Sequence, residues 1–198
     1  MISDSRVHFY TVADLLAIPE PQWLIEDLLY EGQTAVLWGP PNGGKTFVAL
    51  DWALSVATGR PWLGRYATIR RPVVYMAGEG ALSIQKRIRA WTAHHGLMDE
   101  LNSVYFQVRP LPLCEEEVVT EIMAQLDAFP RINGQGLNPG LIIIDTLSQF
   151  MMGGDENGSD MALLVSNARR LSQERDVAVL LIHHGNATGL RDRVHIPP

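Results

Sequence analysis

The segment at residues 39–46, read GPPNGGKT, matches the phosphate-binding pattern G-x-x-x-x-G-K-[ST] at every position. An apolar β-prone run precedes it and an apolar helical run, residues 47–57, follows, as the pattern requires. Backbone N–H groups of such a loop surround phosphates, Lys45 reaches the β- and γ-phosphates, and the Thr46 hydroxyl ligates Mg²⁺. The predicted nucleotide-binding residues here are Gly39, Pro40, Pro41, Asn42, Gly43, Gly44, Lys45, Thr46 and Phe47.

An acidic residue at the end of a predicted buried strand is the candidate for holding the metal ion of this nucleotide site. The apolar residues 141–144, read LIII, predict a strand that is buried on both faces, and Asp145 comes at its carboxyl end. Ligands of open parallel sheets bind at that edge. Asp145 is therefore predicted to hold Mg²⁺, through water, opposite Thr46.

Glu79 is the candidate that would polarise an attacking water molecule. It follows the predicted strand at residues 72–76 and stands between Gly78 and Gly80, which allow a close approach of backbone and ligand. The alternative is a glutamate at the start of a helix, where the helix dipole favours negative charge.

Two histidines end the predicted strand at residues 178–182. A polar side chain at His183 or His184 is expected to contact the γ-phosphate and to report its loss to the rest of the subunit. The alternative is a pair of solvated loop histidines. A zinc site is disfavoured, because adjacent side chains on a strand point in opposite directions and no third ligand is evident.

The elements that must position these residues alternate along the chain. Strands are predicted at residues 34–38, 72–76, 103–108, 141–144 and 178–182, with four helical stretches between them, of which the last three carry an apolar stripe. This alternation predicts an α/β fold, a parallel sheet with helices on both faces. We expect residues 1–33 to be a leader that packs on the core, with a short helix near residues 12–17, and residues 34–198 to be one domain.

Composition narrows the classes of protein to consider. The 198 residues carry a formal charge of −6, which argues against strong non-specific binding of nucleic acid by the whole surface. No apolar run approaches the length of a membrane span, and the polar start differs from a signal peptide. We therefore expect no membrane partner. Cys114 is the single cysteine, so no intrachain disulfide is possible and a reducing cytoplasmic setting is expected.

Taken together, these motifs resemble the RecA-like P-loop ATPases, and among them the RepA-type hexameric replicative helicases of phages and plasmids. The resemblance covers about residues 20–188. It is carried by WLI at 23–25, GPPNGGKT at 39–46, AGEG at 77–80, IIIDTLSQF at 142–150, GGDEN at 153–157 and LLIHHG at 180–185.

The resemblance implies a role for each strand-end residue. Glu79 corresponds to the catalytic glutamate, Asp145 to the Walker B acid, and His184, with His183 beside it, to the histidine that senses the γ-phosphate. Arg87 resembles an arginine that acts near the nucleotide, and an ordinary surface arginine of a helix is the alternative. Asp155, Glu156 and Asp160 recur in the family's loop, although capping of the helix that starts at Asp160 is the plainer interpretation.

The activity implied is Mg²⁺-dependent ATP hydrolysis by the motor domain of a DNA helicase in plasmid or phage replication or recombination. ATP and Mg²⁺ are the implied cofactors, a homo-oligomer, hexameric as in the family, is the implied assembly, and single-stranded DNA is a candidate partner. The alternative is an ATP-binding assembly or regulatory module with little hydrolysis. A small-molecule kinase fits less well, because the acidic and histidine set suits attack by water.

The sequence departs from the resemblance after the histidines. Family members continue through a basic loop into further strands and an interface arginine, whereas no strand pattern fits residues 186–198. We therefore expect a core without the last strands, in which Arg191 and Arg193 are remnants of that loop and the source of any arginine finger stays open.

Overall fold

A five-stranded parallel sheet forms the centre of the computed structural model, which describes residues 9–78, 80–96, 101–128, 138–154 and 158–184. The strand order is β3-β7-β6-β4-β5, and every pairing between neighbours is parallel. The strands are β3 (Thr34–Gly39), β4 (Val73–Ala77), β5 (Val104–Gln107), β6 (Leu141–Asp145) and β7 (Ala178–His184). The two strands of a separate antiparallel hairpin are β1 (Trp23–Ile25) and β2 (Leu29–Tyr30).

Helices cover both faces of the sheet, which confirms the predicted three-layer α/β architecture. The six helices in the described residues are α1 (Val12–Leu16), α2 (Lys45–Thr58), α3 (Ala81–His95), α4 (Glu116–Ala128), α5 (Leu147–Phe150) and α6 (Ser159–Arg175). Helices α2 and α3 pack on one face with the β1–β2 hairpin, whereas α4, α5 and α6 pack on the other. Alternate residues of each central strand therefore enter different cores.

The central strand β6 shows how the sequence dictates this layering. All five of its residues are buried. Leu141 and Ile143 belong to the core under α2, and Ile142 and Ile144 belong to the core under α6. A strand with helices on both faces needs apolar side chains at every position, and LIII satisfies that requirement.

The observed strand boundaries differ from the predicted ones by one or two residues, and the difference at the end of β7 matters for the site. Strand β7 continues through His183 and His184, because these residues pair with Trp38 and Gly39 of β3. The histidines are therefore part of the sheet and not a loop beyond its edge.

Three features of the fold differ from the sequence-based prediction or add to it. Helix α6 begins at Ser159 after the N-cap Gly158, so Asp160 lies in the first turn and does not cap the helix. Helix α5 and the β1–β2 hairpin were not predicted, since each is too short for its periodicity to be read. Asp155 and Glu156 lie outside the described residues.

The N-terminal part of the chain is exposed before the β1–β2 hairpin and packs on the core from the hairpin onward. Thr11 caps α1 through a capping box with Asp14, as the polar start of the helix suggests. Leu24, Ile25 and Leu29 are completely buried, whereas residues 9–22 are exposed throughout. Among the described helices, none combines the length and apolar character that a membrane span requires.

Candidate functional site

The phosphate-binding loop joins the carboxyl end of β3 to the start of α2. Asn42 and Gly44 both have left-handed backbone conformations, with φ of 61° and 80°. Glycine adopts such angles without strain and asparagine tolerates them better than most residues, so the residue types fit the path of the loop. Gly44 is the N-cap of α2 and provides no side-chain acceptor for the first helical N–H groups. Those N–H groups are available to an anion.

Lys45 lies under this loop and is buried at 7% exposure. Its ammonium donates hydrogen bonds to the carbonyl oxygens of Gly39, at 2.9 Å, and Pro40, at 2.7 Å. Burial lowers the pKa of Lys45, and the negative charge of Asp145 partly offsets that effect. Since charged oxygen acceptors form stronger hydrogen bonds than neutral carbonyls, a phosphate would compete well for this ammonium.

Asp145 ends β6, which β7 separates from β3 in the sheet, and is only 4% exposed. The Tyr75 hydroxyl donates a 2.6 Å hydrogen bond to its Oδ2, and the backbone N–H of Gly78 donates to its carbonyl oxygen. The peptide bond from Asp145 to Thr146 is cis. A carboxylate at Asp145 and a hydroxyl at Thr46 are the hard oxygen donors that Mg²⁺ prefers, so these residues suit that ion.

The two histidines of β7 face opposite sides of the sheet. Ala178, Leu180 and Ile182 belong to the core under α2, so the alternation places His184 on that face and His183 on the other. His184 lines the phosphate-loop cavity, and its buried Nδ1 has no hydrogen-bond partner among the described residues. Buried polar atoms are normally paired, so this nitrogen marks His184 as a candidate residue of the site.

A cavity of about 270 Å³ lies beside the phosphate-binding loop, at the carboxyl edge of the sheet. It is lined by residues 42–47 of the loop and α2, together with Arg87 of α3 and His184 of β7. The Arg87 guanidinium lies 4.9 Å from the centre of the Phe47 ring. Arg87 therefore borders this cavity, and its stacking on Phe47 joins α3 to the start of α2.

A larger cavity of about 620 Å³ runs between α2 and α3 and shares Phe47 and Arg87 with the smaller one. Both carboxylate oxygens of Asp51 accept indole N–H bonds of 2.7 Å, one from Trp62 and one from Trp91. His95 packs against the Trp91 ring at its far end. Burial, His94 and Arg60 lower the pKa of His95, while Asp51 opposes them.

Glu79 lies outside the described residues, but its neighbour Gly78 shows why glycine is needed there. A Cβ at Gly78 would collide with the Cβ of Gln149 on α5 and lie 2.8 Å from its Cγ. The chain that leads to Glu79 thus passes directly against α5, just beyond Asp145.

We expect Gly78→Ala to lower the free energy of unfolding by about 1–3 kcal/mol, because overpacking must displace α5 or β4. Urea denaturation would measure this change. Gly80→Ala is the comparison variant. A Cβ at Gly80 meets no atom within 4 Å, so its cost is limited to the poorer N-cap that alanine makes for α3. Equal stability of the two variants would show that the tight contact at Gly78 is absent.

Tyr75 is a residue of the site that the sequence did not reveal. In the sequence it is one apolar residue of a strand, and only the fold brings its hydroxyl to Asp145, seventy positions away. The available signal was its polar atom, since a buried tyrosine hydroxyl needs a partner.

Comparison with known proteins agrees with this architecture. The AAA domain family matches residues 5–189, nearly the whole chain. A KaiC-like protein from the hyperthermophilic archaeon Pyrococcus horikoshii OT3 has a similar structure, with a TM-score of 0.57 and 18% sequence identity. The match covers 82% of this chain and 65% of that one, so this chain spans slightly less than two thirds of the archaeal protein. The likeness shows a shared RecA-like α/β fold.

Proposed function

Because the chain belongs to the AAA domain family, we propose that it binds ATP together with Mg²⁺ and hydrolyses the γ-phosphate. One observation carries the proposal: the loop residues, Lys45 and His184 line a single cavity at the carboxyl edge of a parallel sheet. This is where α/β folds bind ligands. The charge of Asp145 also acts on Lys45, so the acid lies near the same cavity.

Each residue has a distinct task in this proposal. The loop N–H groups and Lys45 bind the β- and γ-phosphates and compensate their charge. Thr46 and Asp145 would hold Mg²⁺, which when bound neutralises charge that develops on the phosphate oxygens. Glu79 orients and polarises the attacking water, and His184 contacts the γ-phosphate. Such a reaction is accelerated chiefly by positioning and charge compensation.

We place the nucleoside in the larger cavity between α2 and α3. Phe47 and Arg87 stand at its junction with the phosphate-loop cavity, so a triphosphate in the loop would direct its nucleoside past these side chains. The flat guanidinium and the aromatic ring both suit stacking against a base. The cavity volume of about 620 Å³ lies in the range of small-molecule sites.

The more specific proposal is a motor domain related to the RepA-type DNA helicases, which acts as a ring. The AGEG, DTL and HHG motifs support it. A local concentration of basic residues also suits contact with single-stranded DNA, because seven of the sixteen lysines and arginines lie between residues 60 and 89. Six of these seven side chains are exposed in the structure.

An ATP-binding assembly module with little hydrolysis is the second candidate, and the exposed N-terminal segment at residues 9–22 favours it. Phe9, Val12 and Leu16 are 89%, 74% and 81% exposed, and α1 buries none of its residues. Contiguous exposed apolar side chains mark surfaces that bind other proteins.

ATP turnover with and without single-stranded DNA, measured together with mass in solution, separates the two candidates. A helicase-like motor is expected to form rings with a non-hydrolysable ATP analogue and to hydrolyse ATP at least several-fold faster with DNA. An assembly module would associate with ATP but show little turnover under either condition. A monomer that neither binds nor hydrolyses ATP would contradict both.

A further inference from the structure

Tyr75 and Asp145 form a buried pair on the α2 side of the sheet. Their strands are neighbours, in a register that pairs Tyr75 with Ile143 and Ala77 with Asp145. Tyr75 therefore lies two residues deeper in the sheet than the acid, on the same face. The tyrosine side chain is completely buried, and its hydroxyl is 2.6 Å from Oδ2 of Asp145.

The phenol ring is held in place on its other side. It packs at 5.7 Å between ring centres against Phe106 of β5, the edge strand beyond β4. A ring that is completely buried and packed against another ring limits the directions in which its hydroxyl can donate. The distance of 2.6 Å is typical of a hydroxyl that donates to an ionised carboxylate, a bond about twice as strong as a neutral one.

We infer that Tyr75 is a positioning residue for the metal site: its hydroxyl holds the Asp145 carboxylate in one orientation for the hydration shell of Mg²⁺. The inference rests on the proposed function, since it assumes that Asp145 acts on that ion. Because Oδ2 accepts the hydrogen bond from the phenol, Oδ1 would be the carboxylate oxygen that faces the metal. Partners that orient a metal-binding carboxylate commonly change metal affinity when they are removed.

A purely structural role predicts a different result. If the hydrogen bond serves only to satisfy a buried hydroxyl, its removal changes stability and leaves metal binding alone. If it orients Asp145, its removal weakens binding of the divalent ion while metal-free binding of the nucleotide is unchanged. The metal affinity of a folded variant therefore distinguishes the two roles.

Tyr75→Phe removes only the hydroxyl oxygen and keeps the ring. With Mn²⁺ as the probe and a non-hydrolysable ATP analogue bound, electron paramagnetic resonance measures the free metal directly. We expect the variant to bind Mn²⁺ about 10–100-fold more weakly than the parent protein. Tyr105→Phe is the matched control and should bind Mn²⁺ normally, because Tyr105 packs in the core on the opposite face.

A second variant keeps the test decisive if Tyr75→Phe alone perturbs the fold. In an Asp145→Asn background the carboxylate is gone, so adding Tyr75→Phe should produce little further loss of Mn²⁺ affinity. A further loss equal to that in the parent protein would overturn the inference, as would unchanged Mn²⁺ affinity in folded Tyr75→Phe. A parent protein that binds no nucleotide and no Mn²⁺ would overturn the proposed function, and this inference with it.

Discussion

Lys45→Ala is expected to weaken ATP binding by about tenfold to more than a hundredfold. Hydrogen bonds to charged groups contribute roughly 1.5–3 kcal/mol each, and the buried ammonium is placed to make them with the β- and γ-phosphates. Its present acceptors are the neutral carbonyls of Gly39 and Pro40, which a phosphate oxygen can replace. Titration calorimetry with a non-hydrolysable ATP analogue measures the affinity, and circular dichroism confirms that the variant is folded.

Lys86→Ala provides the matched control, because Lys86 is the only other lysine in the chain. It is exposed on α3, next to Arg87, and does not line the phosphate-loop cavity. Its loss removes the same charge from the protein without touching the loop. If both lysine variants bound ATP with the affinity of the parent protein, the loop at residues 39–46 would not be a phosphate site.

Glu79→Gln is expected to separate binding from turnover. The amide has nearly the same shape as the carboxylate but cannot accept a proton from water, so the rate should fall by about 10²–10⁴-fold. ATP affinity should change little, because the phosphates are held by the loop. Phosphate release under saturating ATP measures the rate, and calorimetry measures the affinity in the same preparation.

The competing interpretation of Glu79 predicts a small change in stability and normal turnover, as for a glutamate that only complements a helix dipole. Glu121→Gln serves as the control for loss of one negative charge. Glu121 is exposed on α4, across the sheet from the phosphate loop. Full hydrolysis by Glu79→Gln would remove the catalytic role assigned to this residue.

Much of the layered fold was predictable because the central strands are buried on both faces. LIII before Asp145 is apolar at every position, and the helices carry apolar residues at intervals of three and four. Such patterns arise wherever a sheet is enclosed by helices, so they predict the class of fold without any knowledge of contacts. The short elements β1, β2 and α5 were missed because two to four residues are too few to establish a period.

Most residues of the candidate site can be picked out of the sequence one by one, but the local pattern alone does not separate the two histidines, and only the family resemblance singled out His184. Adjacent residues of a strand point in opposite directions, and the sequence places both His183 and His184 after the same apolar run. Which of them faces the phosphate loop depends on the pairing of β7 with β3 and on the face that α2 covers. The structure places His184 at the cavity and His183 on the other face.

The sequence by itself determined the chemistry that this protein can offer: a glycine-rich loop with Lys45 and Thr46, an acid after a buried strand, and polar residues at other strand ends. These are local features, set by residue type and spacing within a few positions. Only the tertiary structure decided which distant groups act on one another, as Tyr75 does on Asp145 and Arg87 on Phe47. Such contacts depend on strand order and register, which arise from packing of the whole chain, so the local sequence does not identify the two partners.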